Sequence, residues 1–582
     1  PTLARALGAR LGKGVDLHSL PPVTGLLTVG NLAAIEPEVD LSGWWLDGDV
    51  LHLGAIEIKD RATIGARSTL MPGAVVGRGA VVDPGSTVLH KVKARQHWAG
   101  SPAAKIGKAR AHGPQDPPPA GRGWVPVYAL SALLIAGIPL LALAVGLVVT
   151  FSWALSGDSL ESAVLRALAL SPLGTLAALA TFALATLIVV RLASVGLTPG
   201  WYPVRSRTGW QMWLTERVMD SARTYLFPLY ASLLTPWWFR ALGARIGSGT
   251  EISTALVIPK FTVVGADSFL ADDTMVASYE LSGGWMRIGQ ARVGKRAFLG
   301  NSGMVAPTRK VPKGGLVAVL SAAPEKAKSG SSWLGSPPQR LRRTAGEADS
   351  SRTFAPSLGL RIARSVVETL RLIAVWISFL IGVGVLLSLQ AVATATSPAV
   401  ATAVSGLVLL AAGVVAGVVA ALAKWIVIGR IRPSEHPLWS SFIWRNELSD
   451  AFVETVAAPW FANAAAGTPV INLWLRALGA KIGRGVWCES YWLPEADLVT
   501  LGDGANVQRG CVVQTHLFHD RVMAIDTVTI AAGATLGPHS VALPAAGLGE
   551  GSTVGPGSLV MRGDRVPDHT RWQGNPVVPW PR

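Results

Sequence analysis

The chain has 582 residues, of which half are hydrophobic and only 15% are charged, and its mean hydropathy is +0.40. These values exclude an ordinary cytosolic enzyme, and the Gly-rich, charged segments between the apolar regions exclude a pure membrane bundle. The net charge is +16, but no nucleic-acid-binding motif accompanies it. We therefore expect the basic residues to face an anionic membrane surface, with no nucleic acid as a partner. Only Cys488 and Cys511 are present, so we expect no disulfide framework, no metal site, and soluble parts that lie in the cytoplasm.

The sequence divides into nine segments. In chain order they are a Gly-rich module (1–112), a Pro-rich linker (113–123), an apolar segment expected to be a transmembrane hairpin (124–195), a segment expected to form amphipathic interfacial helices (196–239), a second module (240–340), a linker (341–360), a second expected hairpin (361–429), further expected interfacial helices (430–475) and a third module (476–582). Because the chain starts at Pro1 within what reads as the interior of a domain, we expect it to be part of a longer protein.

The three modules are copies of one another. Each begins with an Arg-Ala-Leu-Gly-Ala motif, which starts at Arg5, Arg240 and Arg476. The next residue is Arg in the first two copies and Lys in the third, and each copy ends in Trp-x-Gly-Ser/Asn-Pro. Within a module an aliphatic residue recurs every six positions, followed by a small residue four places on. A period of six predicts one short strand and one tight turn per hexad, three of which close a coil of a parallel β-helix.

Two pairs of apolar stretches separate the modules. Stretches 124–151, 167–190, 372–400 and 401–423 are each long enough to cross about 30 Å of hydrocarbon as a helix. Basic residues concentrate at the module ends of each pair, so the positive-inside rule predicts a multi-pass plasma-membrane protein whose modules are all cytoplasmic. The spans carry no ionisable residue, which favours an anchor over a coupled transporter and leaves a polymer conduit as the alternative.

A Trp-rich segment follows each hairpin. Trp-x-x-Glu occurs at Trp213/Glu216 and at Trp444/Glu447. The tryptophans predict amphipathic helices that lie in the membrane interface. A substrate role for the two glutamates is the alternative.

The hexad repeat and the terminal Gly-Ser/Asn-Pro resemble the hexapeptide-repeat acyltransferases. This resemblance implies left-handed β-helices. Members of that family are typically trimers with active sites between neighbouring subunits, so three linked copies imply an intramolecular pseudo-trimer. Three separate structural spacers are the alternative.

One segment of the third copy, 514–521, resembles the histidine-containing loop of maltose and galactoside acetyltransferases. The resemblance makes His516 the general base, a role that suits an imidazole with an ordinary pKa near 6.5. It gives His519, Asp520 and Arg521 the task of orienting the ring or binding the donor. The alternative is that these are ordinary exposed loop residues.

A gap-free alignment of the copies places Trp44 and Tyr279 where the third copy has His516. Neither side chain accepts a proton at neutral pH. We therefore expect the chemistry in the third module, with the first two modules inactive or lining a substrate channel. Cys511 is expected to pack inside its hexad rather than to act as a nucleophile.

The alternation of β-helix copies and membrane hairpins resembles the C-terminal half of the ε-poly-L-lysine synthetase family, which are membrane-bound nonribosomal peptide synthetases. The resemblance implies upstream adenylation and carrier domains outside this chain. The acyl donor is then an aminoacyl thioester on a phosphopantetheine arm, and the acceptor is the side-chain amine of an amino acid such as lysine. The runner-up function is an acetyl-CoA-dependent O- or N-acetyltransferase, and a third is a non-catalytic scaffold or export conduit.

A polycationic product favours a path lined with carboxylates, whereas the chain as a whole is basic. Only the third module balances its charges. We therefore expect substrate-binding carboxylates there, namely Glu489, Glu495, Asp497, Asp503 and Asp520. The amino acid that is polymerised, the chain length and the oligomeric state, including a higher oligomer, stay open.

Overall fold

A computed structural model of the protein describes residues 2–18, 20–22, 24–110, 113–114, 116–119, 121, 123–153, 159–342 and 349–580. Its parallel strands fall in three groups that coincide with the three modules. A strand pairs in parallel with one three hexads away in many cases, as Ile58 pairs with Val76 and Leu70 with Val88. The strands of each module form three such sheets. The short parallel strands predicted from the period of six are confirmed.

The strand bounds in the three modules are as follows. The first module contains Arg10–Leu11, Asp16–Leu17, Leu27–Val29, Ala34–Ile35, Ile56–Ile58, Thr63–Ile64, Thr69–Leu70, Val75–Val76, Val81–Val82, Thr87–Val88, Lys91–Val92, Gln96–Ala99 and the antiparallel Ala104–Lys108. The second contains Arg245–Ile246, Glu251–Ile252, Leu256–Val257, Thr262–Val264, Phe269–Leu270, Met275–Val276, Ala291–Val293, Phe298–Leu299, Met304–Val305, Lys310–Val311, Leu316–Val317, Ser332–Leu334 and the antiparallel Gln339–Leu341. The third contains Lys481–Ile482, Trp487–Cys488, Val499–Leu501, Asn506–Val507, Val512–Val513, Val528–Ile530, Thr535–Leu536, Val541–Ala542, Gly547–Leu548, Thr553–Val554, Leu559–Val560, Arg565–Val566, Arg571–Gln573 and the antiparallel Val578–Pro579.

Helices lie before and between these modules. They are α1 (Thr2–Ala6), α2 (Trp124–Phe151), α3 (Leu160–Ala193), α4 (Arg207–Tyr225), α5 (Thr235–Leu242), α6 (Ser350–Thr353), α7 (Leu358–Thr369), α8 (Arg371–Ala395), α9 (Pro398–Val427), α10 (Ser441–Phe452), α11 (Asn463–Ala465) and α12 (Pro469–Ala477), with a π-helix at Val453–Ala462. Short 3₁₀ turns occupy Phe227–Leu229, Pro259–Phe261 and Ala496–Leu498.

The core of each coil follows from the hexad pattern. The aliphatic residue of each hexad is buried, as are the small residues four places on, such as Ala62 and Ser68. Three strands converge on a narrow coil interior, so a branched aliphatic and a small residue fill it without voids. The arginine at the start of each module caps the first coil. In the second module, for example, Arg240 donates hydrogen bonds to the carbonyls of Ile246 (2.9 Å) and Gly247 (2.8 Å).

Each module also contacts both of the others through its terminal Ser/Asn-Pro motif. Oγ of Ser336 donates to the carbonyl of Pro84 (2.9 Å), which joins the second module to the first. Nδ2 of Asn575 donates to the carbonyl of Leu320 (2.8 Å), which joins the third to the second. Oγ of Ser101 donates to the carbonyl of Pro556 (3.3 Å), which joins the first to the third. The three motifs therefore link the modules in a closed cycle.

Within the part of the chain that the structure describes, four helices are long and apolar enough to cross a membrane. They are α2, α3, α8 with the short helices before it, and α9. The second predicted hairpin, 361–429, needs correction at its start. Residues Leu358–Thr369 form the separate helix α7, where the buried Arg364 pairs with Glu368 (2.7 Å) and with Glu251 of the second module (3.2 Å). This arginine holds α7 against the second module.

Three tryptophans of the second Trp-rich segment are buried, whereas Trp237 of the first segment is 67% exposed. Trp439, Trp444 and Trp474 are all less than a tenth exposed. Trp474 packs into the core cluster of the third module, and its Nε1 donates to the carbonyl of Gly417 on α9 (2.8 Å). These tryptophans join the modules to the helices and are not available to lipid.

Candidate active sites between the modules

Each module is interrupted at the equivalent place by one antiparallel hairpin. The hairpins pair Trp44–Asp47 with Val50–Leu53, Tyr279–Ser282 with Trp285–Ile288, and His516–His519 with Val522–Ile525. Trp44, Tyr279 and His516 each open the first strand, so the alignment that equated them holds in space. The segment around His516, predicted to be a loop, is a regular strand.

His516 is buried and bound to a carboxylate. Its Nδ1 lies 3.0 Å from Oε1 and 2.9 Å from Oε2 of Glu495. The buried Glu495 also accepts hydrogen bonds from Nδ2 of Asn446 (2.7 Å) and from Oγ1 of Thr515. This network directs Nδ1 at the carboxylate and leaves Nε2 as the atom that can exchange a proton with a substrate. Glu495, predicted to bind substrate, therefore positions the imidazole.

The electrostatics around His516 favour its charged form. Burial disfavours the imidazolium, but the charge and hydrogen bond of Glu495 outweigh burial and raise the pKa of His516 to about 9. Asp272 of the second module and Asp450 of α10 add to this rise. Burial, followed by the charge of Glu495, raises the pKa of Asp450 well above its usual range. One imidazole and three carboxylates thus influence one another where the second and third modules meet.

The other residues of the predicted catalytic segment point elsewhere. His519 lies three positions along the strand from His516, so strand alternation puts it on the opposite face, where its side chain is 45% exposed and 3.7 Å from Asp520. Arg521 is buried and donates to the carbonyls of Gly249 (2.6 Å) and Thr353 (3.2 Å). The prediction that His519, Asp520 or Arg521 orients the ring is wrong, because Glu495 holds it.

Three of the predicted substrate carboxylates are engaged in separate contacts. Glu489 accepts a hydrogen bond from the backbone N–H of Arg509 (3.0 Å). Asp497 pairs with Lys424 at the end of α9 (2.7 Å). Asp503 lies in an exposed turn and accepts from the backbone N–H of Arg484 (2.7 Å). These contacts hold the chain locally and do not gather the three groups into one path.

The helices α4 and α10 occupy equivalent positions beside the second and third hairpins. Strand Gly200–Pro203 joins the second hairpin and strand Ser434–Pro437 joins the third. Each strand is followed three residues later by the N-cap serine of its helix, Ser206 or Ser440.

Counting from these serines corrects the Trp-x-x-Glu register. Glu216 of α4 corresponds to Asp450 of α10, and Asp220 corresponds to Glu454 of the π-helix. Glu447, predicted to match Glu216, instead pairs with Arg371 (2.7 Å). Both helices therefore direct an acidic pair, four residues apart, toward a module interface, and this pair was missed because the motif was matched on the wrong tryptophan.

The first and second modules enclose a cavity of about 370 Å³ beside Tyr279. The hydroxyl of Tyr279 donates to both oxygens of Glu216 (2.8 and 2.9 Å), and Nε2 of His18 lies 2.9 Å from Oε2 of the same carboxylate. Among the described residues, the acidic and basic side chains that line the cavity besides His18 are six acids and three arginines, namely Glu36, Glu38, Asp83, Glu216, Asp220, Glu280, Arg217, Arg223 and Arg309. This cavity is a carboxylate-rich surface that was not predicted from the sequence. Sequence reasoning missed it because its residues come from two modules and a helix.

The contact of the third module with the first has a different character. The Arg509 guanidinium stacks on Trp44 at 4.7 Å and pairs with Asp40 at 2.9 Å. Gln508 exchanges hydrogen bonds with the backbone of Leu46. This hairpin serves to join modules, which accounts for a tryptophan at the position of His516.

Comparison with known proteins extends the sequence resemblance. No family model matches the chain. The delta-poly-L-ornithine synthetase of Acinetobacter baumannii is 32% identical over 602 residues, which is 99% of this chain and 45% of that protein. The chain is thus similar in sequence to a poly-amino-acid synthetase. The predicted resemblance to the ε-poly-L-lysine synthetase family is confirmed, and the chain spans less than half the length of the synthetase it matches.

A solved serine acetyltransferase of Neisseria gonorrhoeae was also found. It is 17% identical, covers 38% of this chain and 84% of its own, and superposes with a TM-score of 0.18. With a score this low, the match supports no conclusion about the fold or function of this chain.

Proposed function

We propose that the chain is the amide-bond-forming acyltransferase region of a membrane-bound nonribosomal peptide synthetase. It joins an aminoacyl thioester to the side-chain amine of a diamino acid. The observation that carries this proposal is the Glu495–His516 pair at an interface shared with Asp272 and Asp450. The carboxylates attract the ammonium form of an amine acceptor, and the imidazole accepts a proton from the nitrogen when that amine attacks. A neutral hydroxyl acceptor gains nothing from the surrounding negative charge. The name of the relative, delta-poly-L-ornithine synthetase, supports ornithine as the diamino acid, and lysine is the alternative implied by the sequence resemblance.

In the proposed reaction the acceptor nitrogen loses two protons, one before it attacks the thioester and one while the new bond forms. The ammonium of the acceptor first releases a proton to solvent, and the resulting amine attacks the thioester carbonyl. As the C–N bond forms, Nε2 of His516 takes the second proton from nitrogen. When the C–S bond breaks, the same nitrogen returns that proton to the leaving sulfur, giving an isopeptide bond and a free thiol. Glu495 stabilises the imidazolium between these two events.

An apolar wall beside His516 fits the arm that carries the donor. Phe518 lies 6.1 Å from the His516 ring and 5.0 Å from Phe269. In the same cluster, the buried Nε1 atoms of Trp439 and Trp444 have no hydrogen-bond partner within the described residues. Methylenes suit the ring faces, and amide carbonyls suit the free N–H donors. The phosphopantetheine arm of an upstream carrier domain, or alternatively that of acetyl-CoA, supplies the thiol that holds the acyl group.

The architecture proposed for this reaction is a pseudo-trimer of left-handed β-helices. The closed cycle of contacts from Ser101, Ser336 and Asn575 supports a threefold arrangement, and the catalytic residues then lie between modules, as between subunits of a trimer. The chain is proposed to cross the plasma membrane with all three modules in the cytoplasm, where adenylation and carrier domains deliver the donor.

The deciding experiment compares His516→Ala with His569→Ala, a change in an exposed turn of the same module. The full chain in nanodiscs would receive an ornithyl thioester of N-acetylcysteamine and free ornithine, and amide formation would be followed by mass spectrometry. Loss of a general base typically lowers the rate by a factor of about 10² to 10⁴. The rate of amide formation should therefore fall by about that factor in His516→Ala and stay near the wild-type rate in His569→Ala. Near-normal turnover of His516→Ala would overturn the assignment.

A further inference from the structure

The cavity between the first and second modules contains groups that the proposed reaction at His516 does not use. Glu36 is 5% exposed and faces this cavity. Its Oε1 accepts from the backbone N–H of Leu281 in the second module (2.8 Å), and its Oε2 accepts from Ala66 in the first (3.0 Å). The two modules thus meet on one buried carboxylate.

Glu36 differs from the other acids of the cavity in its partners. Glu216 has His18 at 2.9 Å, Glu38 has Arg67 at 2.6 Å, and Asp83 has His97 at 2.6 Å. Among the described residues, no cationic side chain pairs with Glu36. Burial raises the pKa of Glu36 to about 8, against two backbone hydrogen bonds that lower it. A buried carboxylate without a cation is costly, and an incoming cation would relieve that cost.

A second, independent observation lies on the same wall. Ser278 is completely buried, lines the cavity, and its Oγ has no hydrogen-bond partner within the described part of the chain. A buried hydroxyl left without a partner indicates a missing polar group. The equivalent Thr515 of the third module uses its hydroxyl on Glu495. The hydroxyl oxygen of Ser278 is therefore free to accept a hydrogen bond from a ligand in the cavity.

We infer that this cavity is a binding site for a primary ammonium group on a linear aliphatic chain, held by Glu36 and Ser278. An ammonium has three donors and no acceptor, which matches a carboxylate and a hydroxyl oxygen. Apolar residues such as Met275 and Val305 supply walls for methylenes. Asp220, at the end of the acidic pair of α4, adds negative charge to the same cavity. The site binds whether or not the amide bond forms at His516.

The test measures binding of 1,5-diaminopentane to the full chain in detergent by isothermal titration calorimetry, with 1-pentanol as the uncharged probe. Glu36→Gln should weaken diamine binding at least about tenfold, the value of one charge-assisted hydrogen bond, and Ser278→Ala should weaken it about threefold. Glu57→Gln, a change to a solvent-exposed pair on the first module, should bind like wild type. The alcohol should not bind.

The variants separate binding from folding. Glu36 also joins two modules, so Glu36→Gln could fail to fold, and in that event Ser278→Ala and Asp220→Asn decide, with weaker binding expected for both. If wild type binds no diamine, or if Ser278→Ala and Asp220→Asn both bind it as tightly as wild type, the site is not an ammonium site. Diamine binding that survives His516→Ala, together with unchanged amide formation in that variant, would uphold this site and reject the proposed function.

Discussion

Glu495 and His516 are 21 residues apart in sequence, yet Oε2 of one and Nδ1 of the other lie 2.9 Å apart. Glu495 holds a left-handed backbone conformation, with φ at 44°, which costs a residue with a side chain roughly 1 to 2 kcal/mol. Strain of this kind persists where surrounding contacts enforce it, and here Asn446 and Thr515 fix the carboxylate. In the second module Ile258, which likewise precedes a 3₁₀ turn, packs in one cluster with Tyr279. The Glu495–His516 pair is therefore a feature of the third module, whereas beside Tyr279 the carboxylate of Glu216 pairs with His18 of the first module.

Replacing the orienting carboxylate tests its role directly. Glu495→Gln keeps the shape of the side chain but removes the charge that stabilises the imidazolium. We expect amide formation to fall by about 10² to 10⁴, as for loss of a catalytic carboxylate or base, measured with the ornithyl thioester assay. Glu550→Gln, in an exposed turn of the same module, should retain wild-type rates. Full activity of Glu495→Gln would show that the pair is structural.

The pH dependence of the reaction follows from the raised pKa of His516. A general base must be neutral and the acceptor amine must be unprotonated, so kcat/KM should increase as the pH rises from 7, less steeply above about 9, and level off only near the ordinary amine pKa of about 10.4. The effect on stability has the opposite sign. The folded-state pKa lies above the ordinary 6.5, so the imidazolium–carboxylate pair stabilises the fold fully below pH 6.5 and loses this contribution as the pH rises through about 9. A profile of kcat/KM that is flat between pH 7 and 9 would contradict the assignment.

Much of the fold could be predicted because it rests on local repetition. The hexad aliphatics, the small residues beside them and the opening arginine recur at fixed positions, and each acts within its own coil. The four membrane-length helices were evident from composition for the same reason. The role of Trp474 could not be found this way, since an interfacial and a buried tryptophan share one sequence pattern and only the docking of α9 on the third module separates them.

The candidate sites were predicted only where one segment carries them. His516 stands out within its own strand, but its partner Glu495 lies a coil away, and Asp272 comes from another module. The cavity beside Tyr279 draws on the first module, the second module and α4. The tertiary arrangement brings these groups together, so no spacing in the sequence records them.

A buried ion pair is expected to hold the second membrane hairpin to its neighbours. Arg371 is 1% exposed, pairs with Glu447 at 2.7 Å, and donates to the carbonyl of Ala231 at 3.0 Å. Arg371→Met leaves Glu447 without its cation, so we expect a loss of about 3 to 5 kcal/mol in the free energy of unfolding, seen as a lower melting temperature in detergent. Adding Glu447→Gln should restore part of that loss. Unchanged melting of Arg371→Met would mean that this contact contributes nothing.

Membrane orientation can be tested by cysteine labelling from outside intact cells. The native thiols do not report on it, because Cys488 and Cys511 are both buried and would stay unlabelled on either side. Two exposed positions replace them: Ala399, in the first turn of α9 between the two spans, and Lys310, on the surface of the second module. By the positive-inside rule, the basic residues at the module ends of the spans predict that the modules lie inside. An impermeant maleimide should therefore label Ala399→Cys in intact cells, and should label Lys310→Cys only after the membrane is permeabilised. Labelling of Lys310→Cys in intact cells would reverse the orientation and place the modules out of reach of a cytoplasmic carrier domain.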